Sequence, residues 1–275
     1  AGADDYLTKP IQPEELRLRL EAGKRLLALE GRDMMIFSLA KLAESRDQET
    51  GKHLERMREY SKLLAVEMSS WPKFEDVIGA QFIDLLYMTS PLHDVGKVGI
   101  PDRILCKPGK LTAEEFEIMK LHTIIGSDTL KASAEAHPEA KFLQMALEIA
   151  HMHHEKWDGS GYPQGLAGKD IPLSARIVAL ADVYDALTTQ RVYKPAYSHE
   201  KARDIILENR GTHFDPNVVE AFVKTEKKFI AVRETMDDDL EEVATASEPK
   251  EIDQPLPPPS GVVDTISLTA ASPTT

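Results

Sequence analysis

The chain of 275 residues is 42% hydrophobic and 29% charged, enough to build one large core or two small ones. No apolar run approaches the ~18 residues of a membrane span, and Ala1-Gly2-Ala3-Asp4-Asp5 lacks the basic start and apolar middle of a signal peptide, so a cytoplasmic, membrane-free protein is expected. The net charge of −13 is uneven: nine acids against Lys250 give Asp237 to Thr275 a charge of −8, and the remainder carries −5. With no Lys/Arg stripe and interleaved aromatics, binding of a nucleic acid polymer is excluded, while a small anion held by local metals is not. Cys106, a single cysteine, excludes an internal disulfide framework and receives no role.

In chain order, Gly2-Ala3-Asp4-Asp5-Tyr6-Leu7-Thr8-Lys9-Pro10 followed by Pro13-Glu14-Glu15-Leu16 resembles the last strand and last helix of a two-component receiver domain, Lys9 matching its phosphate-contacting lysine. The acceptor Asp of that family is absent from this stretch. Residues 1–29 are therefore expected to be a receiver tail with a linker helix from Pro13, bearing Leu16, Leu18, Leu20, Leu26, Leu27 and Leu29. That helix is expected to connect and to dimerise.

From Asp33 to about Arg233 the periodicity is helical throughout, which predicts an all-α domain over 30–235. Met34, Met35, Phe37, Leu39 and Leu42, and then Leu54, Met57, Tyr60, Leu63, Leu64 and Val66, read as core stripes. Phe82, Ile83, Leu85, Leu86 and Met88 lead a helical run into His93-Asp94. Thr112-Ala113-Glu114-Glu115 is a capping box whose helix carries His122 about three turns in. Pro138 starts a helix through His151-Met152-His153-His154, stopped by the Gly- and Pro-dense loop after Asp158. Ile177-Val178-Ala179-Leu180-Ala181 must be buried, so Asp182 beside it needs either a salt bridge or a metal. Asp215-Pro216 reads as N-cap and first turn of a structural helix. Residues 236–275, acidic and rich in Pro, Ser and Thr, are expected to be a disordered tail.

Ser90-Pro91-Leu92-His93-Asp94-Val95-Gly96-Lys97 is the stretch with the most chemistry. Adjacent side chains on a helix point ~100° apart, so His93 and Asp94 suit two neighbouring cations with the carboxylate bridging, and Lys97 facing what they bind. A histidine satisfied near a helix end is the alternative these residues alone leave open. Glu49, His53, His93, Asp94, His122, His153, His154 and Asp182 together make five imidazoles and three carboxylates, which suits a polynuclear site. With no thiolate, iron or manganese is favoured, with zinc, nickel and cobalt also allowed.

His93-Asp94-Val95-Gly96-Lys97 and His153-His154-Glu155-Lys156-Trp157-Asp158-Gly159-Ser160-Gly161-Tyr162-Pro163 resemble the HD-GYP family of the HD phosphohydrolase superfamily. Further matching stretches run from Glu44-Ser45-Arg46-Asp47 through Ala181-Asp182-Val183-Tyr184-Asp185 to Gly211-Thr212-His213-Phe214-Asp215-Pro216. The resemblance implies an HD-type helical bundle that hydrolyses cyclic di-GMP to pGpG, in some members on to GMP. It assigns His53, His93, Asp94, His122, His153, His154 and Asp182 to metal ions with Asp94 bridging, and Lys97, Arg191 and Lys194 to phosphate or guanine. Gly161, Tyr162 and Pro163 shape the rim, His151 and His213 have local structural roles, and Asp185 supports or caps rather than ligates. Asp94 and Lys97 are the expected catalytic pair, water attacking phosphorus in line with the departing ribose 3′ oxygen. Glu49 is either a solvated acid or the ligand of a third metal, so two or three divalent ions are expected. A sensor kinase acting through the receiver, cyclase domains and a second copy are the expected partners. The competing readings are a phosphohydrolase of another nucleotide and a non-catalytic cyclic di-GMP sensor or interaction module.

Overall fold

A computed structural model describes residues 13–46, 52–190 and 196–236, and of residues 13–30 only Arg17 and Leu18 to the side chain. Helices dominate these residues, and the only β pairings among them are two isolated bridges, Asp158 with Ala167 and Arg210 with Phe214. The expectation of an all-α bundle holds. Residues 1–12 with Lys9, residues 237–275 of the expected tail, Glu49, Arg191 and Lys194 lie outside the described residues.

The bundle forms around α8 (Leu173–Thr188), in which every residue except Arg176 is buried. A helix apolar on all faces has no solvent side, so neighbours must enclose it. α2 (His53–Ser69), α7 (Lys141–Met152), α9 (His199–Glu208) and α10 (Pro216–Thr235) do so. The buried face of α2 is Leu54, Met57, Tyr60, Leu64, Ala65 and Met68, at three- and four-residue steps. Tyr60 stacks on Phe229 at 4.5 Å between centroids and meets Tyr184 edge-on at 5.2 Å, while Phe222 crosses Phe229 at 5.1 Å. These offset and edge contacts add to area burial, and truncating Phe222 to Ala would cost about 3 to 5 kcal/mol.

A smaller core of Ile36, Ala40, Leu54, Met88, Leu92 and Ala146 joins α1 (Pro13–Glu44) and α3 (Ala80–Thr89) to the body. α1 runs unbroken across the boundary expected at residue 30. Its apolar stripe corrects the sequence expectation: Ile36 and Ala40 face inward, whereas Met34 and Leu42 are 69% and 68% exposed, with Met35 and Leu39 also outside. A helix apolar around most of its circumference can bury only the face its own chain covers.

Three local expectations shift as well. α3 ends at Thr89, and Pro91 enters a short 3-10 turn, so His93-Asp94 stands between two such turns rather than on the α-helix. The capping box at Thr112 forms as predicted, but its helix α5 (Ala113–Lys120) stops at Leu121, so His122 opens α6 (His122–Ala136). α7 starts at Lys141, three residues after Pro138. α9 and α10 are N-capped by Ser198 and Asp215, whose side chains accept from the backbone N–H of Lys201 and Asn217.

Candidate metal centre

The turn carrying His93 and Asp94 is pressed onto α6. A Cβ on Gly96 would lie 1.9 Å from the His122 carbonyl oxygen and 2.4 Å from the Gly126 nitrogen, so only glycine allows that approach. Gly126 is close-packed in return, 3.2 Å from the Gly96 nitrogen by the same measure. This contact brings the first residue of α6 beside the His-Asp pair.

Three imidazoles are tethered alike. Nδ1–H donates to a backbone carbonyl one turn back: His93 to Ser90 at 3.0 Å, His122 to Met119 at 2.8 Å and His153 to Ile149 at 2.9 Å. A carbonyl can only accept, so the proton sits on Nδ1 and each Nε2 presents its lone pair. These Nε2 atoms are buried without a hydrogen-bond partner, as is Asp94 Oδ1. They converge on one carboxylate: His93 Nε2 is 3.3 Å from Asp94 Oδ2, and His122 and His153 Nε2 are 3.2 and 3.7 Å from Asp94 Oδ1. Lone pairs turned toward a carboxylate leave a cation as the group that satisfies both.

Two sets result. Asp94, His122, His153 and His154 offer ligand atoms within 4.8 Å of one another, and so do His53, His93 and Asp182. Asp182 Oδ1 stands 3.9 Å from His93 Nε2, in line with the expected need of that carboxylate for a cationic or metal partner. Asp94 lies between the sets, where one carboxylate can serve two ions. Lys97 Nζ is 2.8 Å from Asp94 Oδ2. Glu44, not anticipated from sequence, ends α1 with its carboxylate 3.9 Å from His53 Nε2. Seven of the eight predicted ligands are thereby gathered, and the eighth, Glu49, is outside the described residues.

Electrostatics fit ligation. Burial disfavours a charged Asp94, but the Lys97 ammonium and then the neighbouring His93 and His153 side chains outweigh it and hold the carboxyl well below its usual range. Burial pushes His122 down to about 4, with His153 and Lys97 adding to it against Asp94. His154 is held well below the ordinary imidazole value, first by burial and then by His153 and His122. For His93 burial pulls the same way, but Asp94 and Asp182 override it and the value rises. Imidazoles pushed toward the neutral form at His122 and His154, beside an ionised Asp94, suit a divalent ion of borderline hardness.

His154 is fixed by the loop that follows. Tyr162 stacks on it at 4.7 Å and 27°, and the Tyr162 N–H donates to the His154 carbonyl at 3.2 Å. Gly161 makes this return possible, since a Cβ there would meet the Lys156 nitrogen at 2.3 Å. The buried Glu155 carboxylate accepts from the backbone N–H groups of Gln164, Gly165 and Leu166 at 2.7, 3.1 and 3.0 Å. Glu155 escaped the sequence reading. Its signal was an acid directly before a loop full of glycines, whose backbone donors need an acceptor. Asp185 takes the supporting role expected of it, accepting from His53 Nδ1 at 2.7 Å. His151 Nδ1 lies 2.9 Å from Ser127 Oγ, and His213 stacks on Phe214 at 4.3 Å, both structural as expected.

The chain is 58% identical over 202 residues to a cyclic di-GMP phosphodiesterase of Vibrio cholerae, covering 73% of this chain and 41% of that protein. It is 52% identical over 262 residues to a probable cyclic di-GMP phosphodiesterase of the same organism, covering 86% and 59%. The chain thus spans roughly half the length of these curated relatives. The fold also matches the crystal structure of a cyclic GMP-AMP-specific phosphodiesterase of Vibrio cholerae (V-cGAP3), with a TM-score of 0.51 and 19% identity over 74% of this chain and 53% of that one. The HD domain profile matches residues 38–218, which include every histidine and aspartate of the two ligand sets, and the chain accordingly belongs to the HD domain family of the HD phosphohydrolase superfamily.

Proposed function

We propose that residues 30–235 form a metal-dependent phosphodiesterase of the HD-GYP type that hydrolyses cyclic di-GMP to pGpG, with GMP as the alternative end product. The observation that carries this reading is the convergence of the His93, His122 and His153 Nε2 atoms on the two oxygens of Asp94. The names of the two curated relatives support the substrate.

His53, His93, Asp94 and Asp182 would hold one divalent ion, and Asp94, His122, His153 and His154 another, with iron or manganese suited to this donor set. Bound there, the ions would supply Lewis acidity and an activated water. The chain's own contribution is to hold Asp94 ionised between the two sets, to keep each Nε2 unprotonated, and to place the Lys97 ammonium beside Asp94, where it offsets charge developing on the phosphoryl oxygens. Arg191 and Lys194 are proposed to contact phosphate or guanine, and Glu49 to ligate a third ion.

Residues 1–29 belong, in this reading, to a receiver tail and linker that make the domain the output of a response regulator. The outward Met34, Met35, Leu39 and Leu42 of α1 support pairing with a second copy along this helix. No helix among the described residues is long and apolar enough to cross a membrane.

Incubating the protein with cyclic di-GMP and Mn(II) or Fe(II) under anaerobic conditions, then separating the products, tests the activity. Release of pGpG or GMP is expected from the native chain and neither from Asp94→Ala. Bound but uncleaved ligand with every metal would point instead to a sensor, and turnover of a different cyclic dinucleotide alone would reassign the substrate. Metal per chain approaching three, and falling toward two in Glu49→Gln with the fold intact, would support the third ion. Two in both proteins would remove it.

A further inference from the structure

We infer that Arg56 is a positioning residue for the metal centre: acting through Asp185 it fixes the ring of His53, and through Thr189 and Met236 it ties that ring to the ends of α8 and α10. Arg56 lies three residues after His53 on the same face of α2 and is 2% exposed. Its Nε donates to Asp185 Oδ1 at 2.6 Å and its Nη2 to Asp185 Oδ2 at 3.1 Å. That second oxygen also accepts from His53 Nδ1 at 2.7 Å. The same guanidinium reaches Thr189 Oγ1 at 3.1 Å through Nη2 and the Met236 carbonyl at 3.0 Å through Nη1.

The geometry explains why an arginine is placed in so apolar a position, between Leu54 and Met57. A buried ion pair is weak grounds for stability, since well-packed apolar side chains of similar volume often serve the fold as well or better. Orientation is another matter. A carboxylate held by one bond can turn about its χ2, whereas the planar fork of arginine grips both oxygens and fixes their plane. Asp185 so fixed keeps the proton of His53 on Nδ1 and aims Nε2 at His93 and Asp182. Through Thr189 the same side chain also reaches the residue that caps the end of α8. Lysine offers one point charge and cannot make this set of bonds.

This inference rests on the metal reading above, and the test keeps the two apart by reading metal binding rather than turnover. The apparent affinity for Mn(II) is measured by competition with a chelating dye, beside thermal unfolding of the metal-free protein, for wild type, Arg56→Met, Asp185→Leu and the double variant. Asp185→Leu is expected to weaken Mn(II) binding ~10- to 100-fold, as loss of an outer hydrogen-bond partner of a ligand does, and Arg56→Met to fall in the same range. The double variant should bind no more weakly than Asp185→Leu alone, because the reach of Arg56 to the His53 ring runs through that carboxylate. With an apolar pair in place of the ion pair it should also stay folded. Arg56→Lys should lose about tenfold, because the charge remains but the fork does not. If Arg56→Met does not fold by itself, Arg56→Lys, which keeps the buried charge, still decides, because wild-type Mn(II) affinity in it overturns the role of Arg56. Wild-type affinity in folded Arg56→Met, or losses that multiply in the double variant, overturn the role of Arg56. Wild-type protein that takes up no Mn(II) overturns the metal reading as well.

Discussion

The histidines of the site are held by two different means, and the division cuts across the two ligand sets. His93, His122 and His153 are each tied to a carbonyl three or four residues earlier in their own turn or helix. His53 is tied to Asp185, 132 residues away, and that carboxylate is gripped in turn by the buried Arg56. The first kind of tether forms with the local backbone and cannot be removed by changing a neighbouring side chain. The second exists only once α2 and α8 have packed, and a single substitution breaks it. Asp94 faces both ligand sets, so the comparison predicts a graded response to mutation.

The largest effect is expected from Asp94→Ala, which removes the one carboxylate facing both sets. Metal content should collapse beyond the ~10- to 100-fold loss of affinity typical of an outer partner, and product formation should fall below detection. Elemental analysis after anaerobic loading checks it, and near-native metal in a folded Asp94→Ala protein would show that the two sets bind independently. Asp185→Asn comes next. It keeps an acceptor for His53 but loses the charge that faces Arg56, so Mn(II) affinity should drop ~10- to 100-fold at most. The loss should be confined to one ion, leaving the second binding event in a titration unchanged.

A third case lies between the two, because His154 is held by a ring face rather than by either kind of tether. Tyr162→Phe preserves the stack and should keep native metal content, whereas Tyr162→Ala should weaken binding several-fold and lower stability, read by metal titration and denaturant unfolding. Equal behaviour of the two variants would move the importance from the ring to the hydroxyl. The smallest effect should come from Ser90→Ala. His93 bonds the backbone oxygen of this residue, and the Ser90 hydroxyl is buried without a partner, so metal affinity should stay within about twofold of native. A larger loss would mean that the local tether depends on side chains after all.

Legibility in the sequence followed the same division. Periodicity was enough for the all-α architecture, the capping box at Thr112 and the cap at Asp215 formed from nearest neighbours, and unbroken apolarity around Asp182 demanded a partner for it. The ligand types could be read because imidazole and carboxylate at helix ends are chemically conspicuous. Arg56 and Glu155 were not, because each looks like an ordinary surface charge until its distant partners are known. The break at Leu121 and the exposure of Met34, Met35, Leu39 and Leu42 were also hidden, since periodicity reports that a face is apolar and not what covers it.

By itself, then, the order of residues determined what depends on neighbours a few positions apart: helix content, local caps and the donor chemistry of the candidate ligands. The tertiary structure decided which lone pairs meet. Convergence of His53, His93, Asp94, His122, His153, His154 and Asp182 depends on rigid helices packing at set distances, with Gly96 against Gly126 and Arg56 across to Asp185. Those distances are sums over many side-chain contacts along α2, α6, α7 and α8, and no local window of sequence contains them.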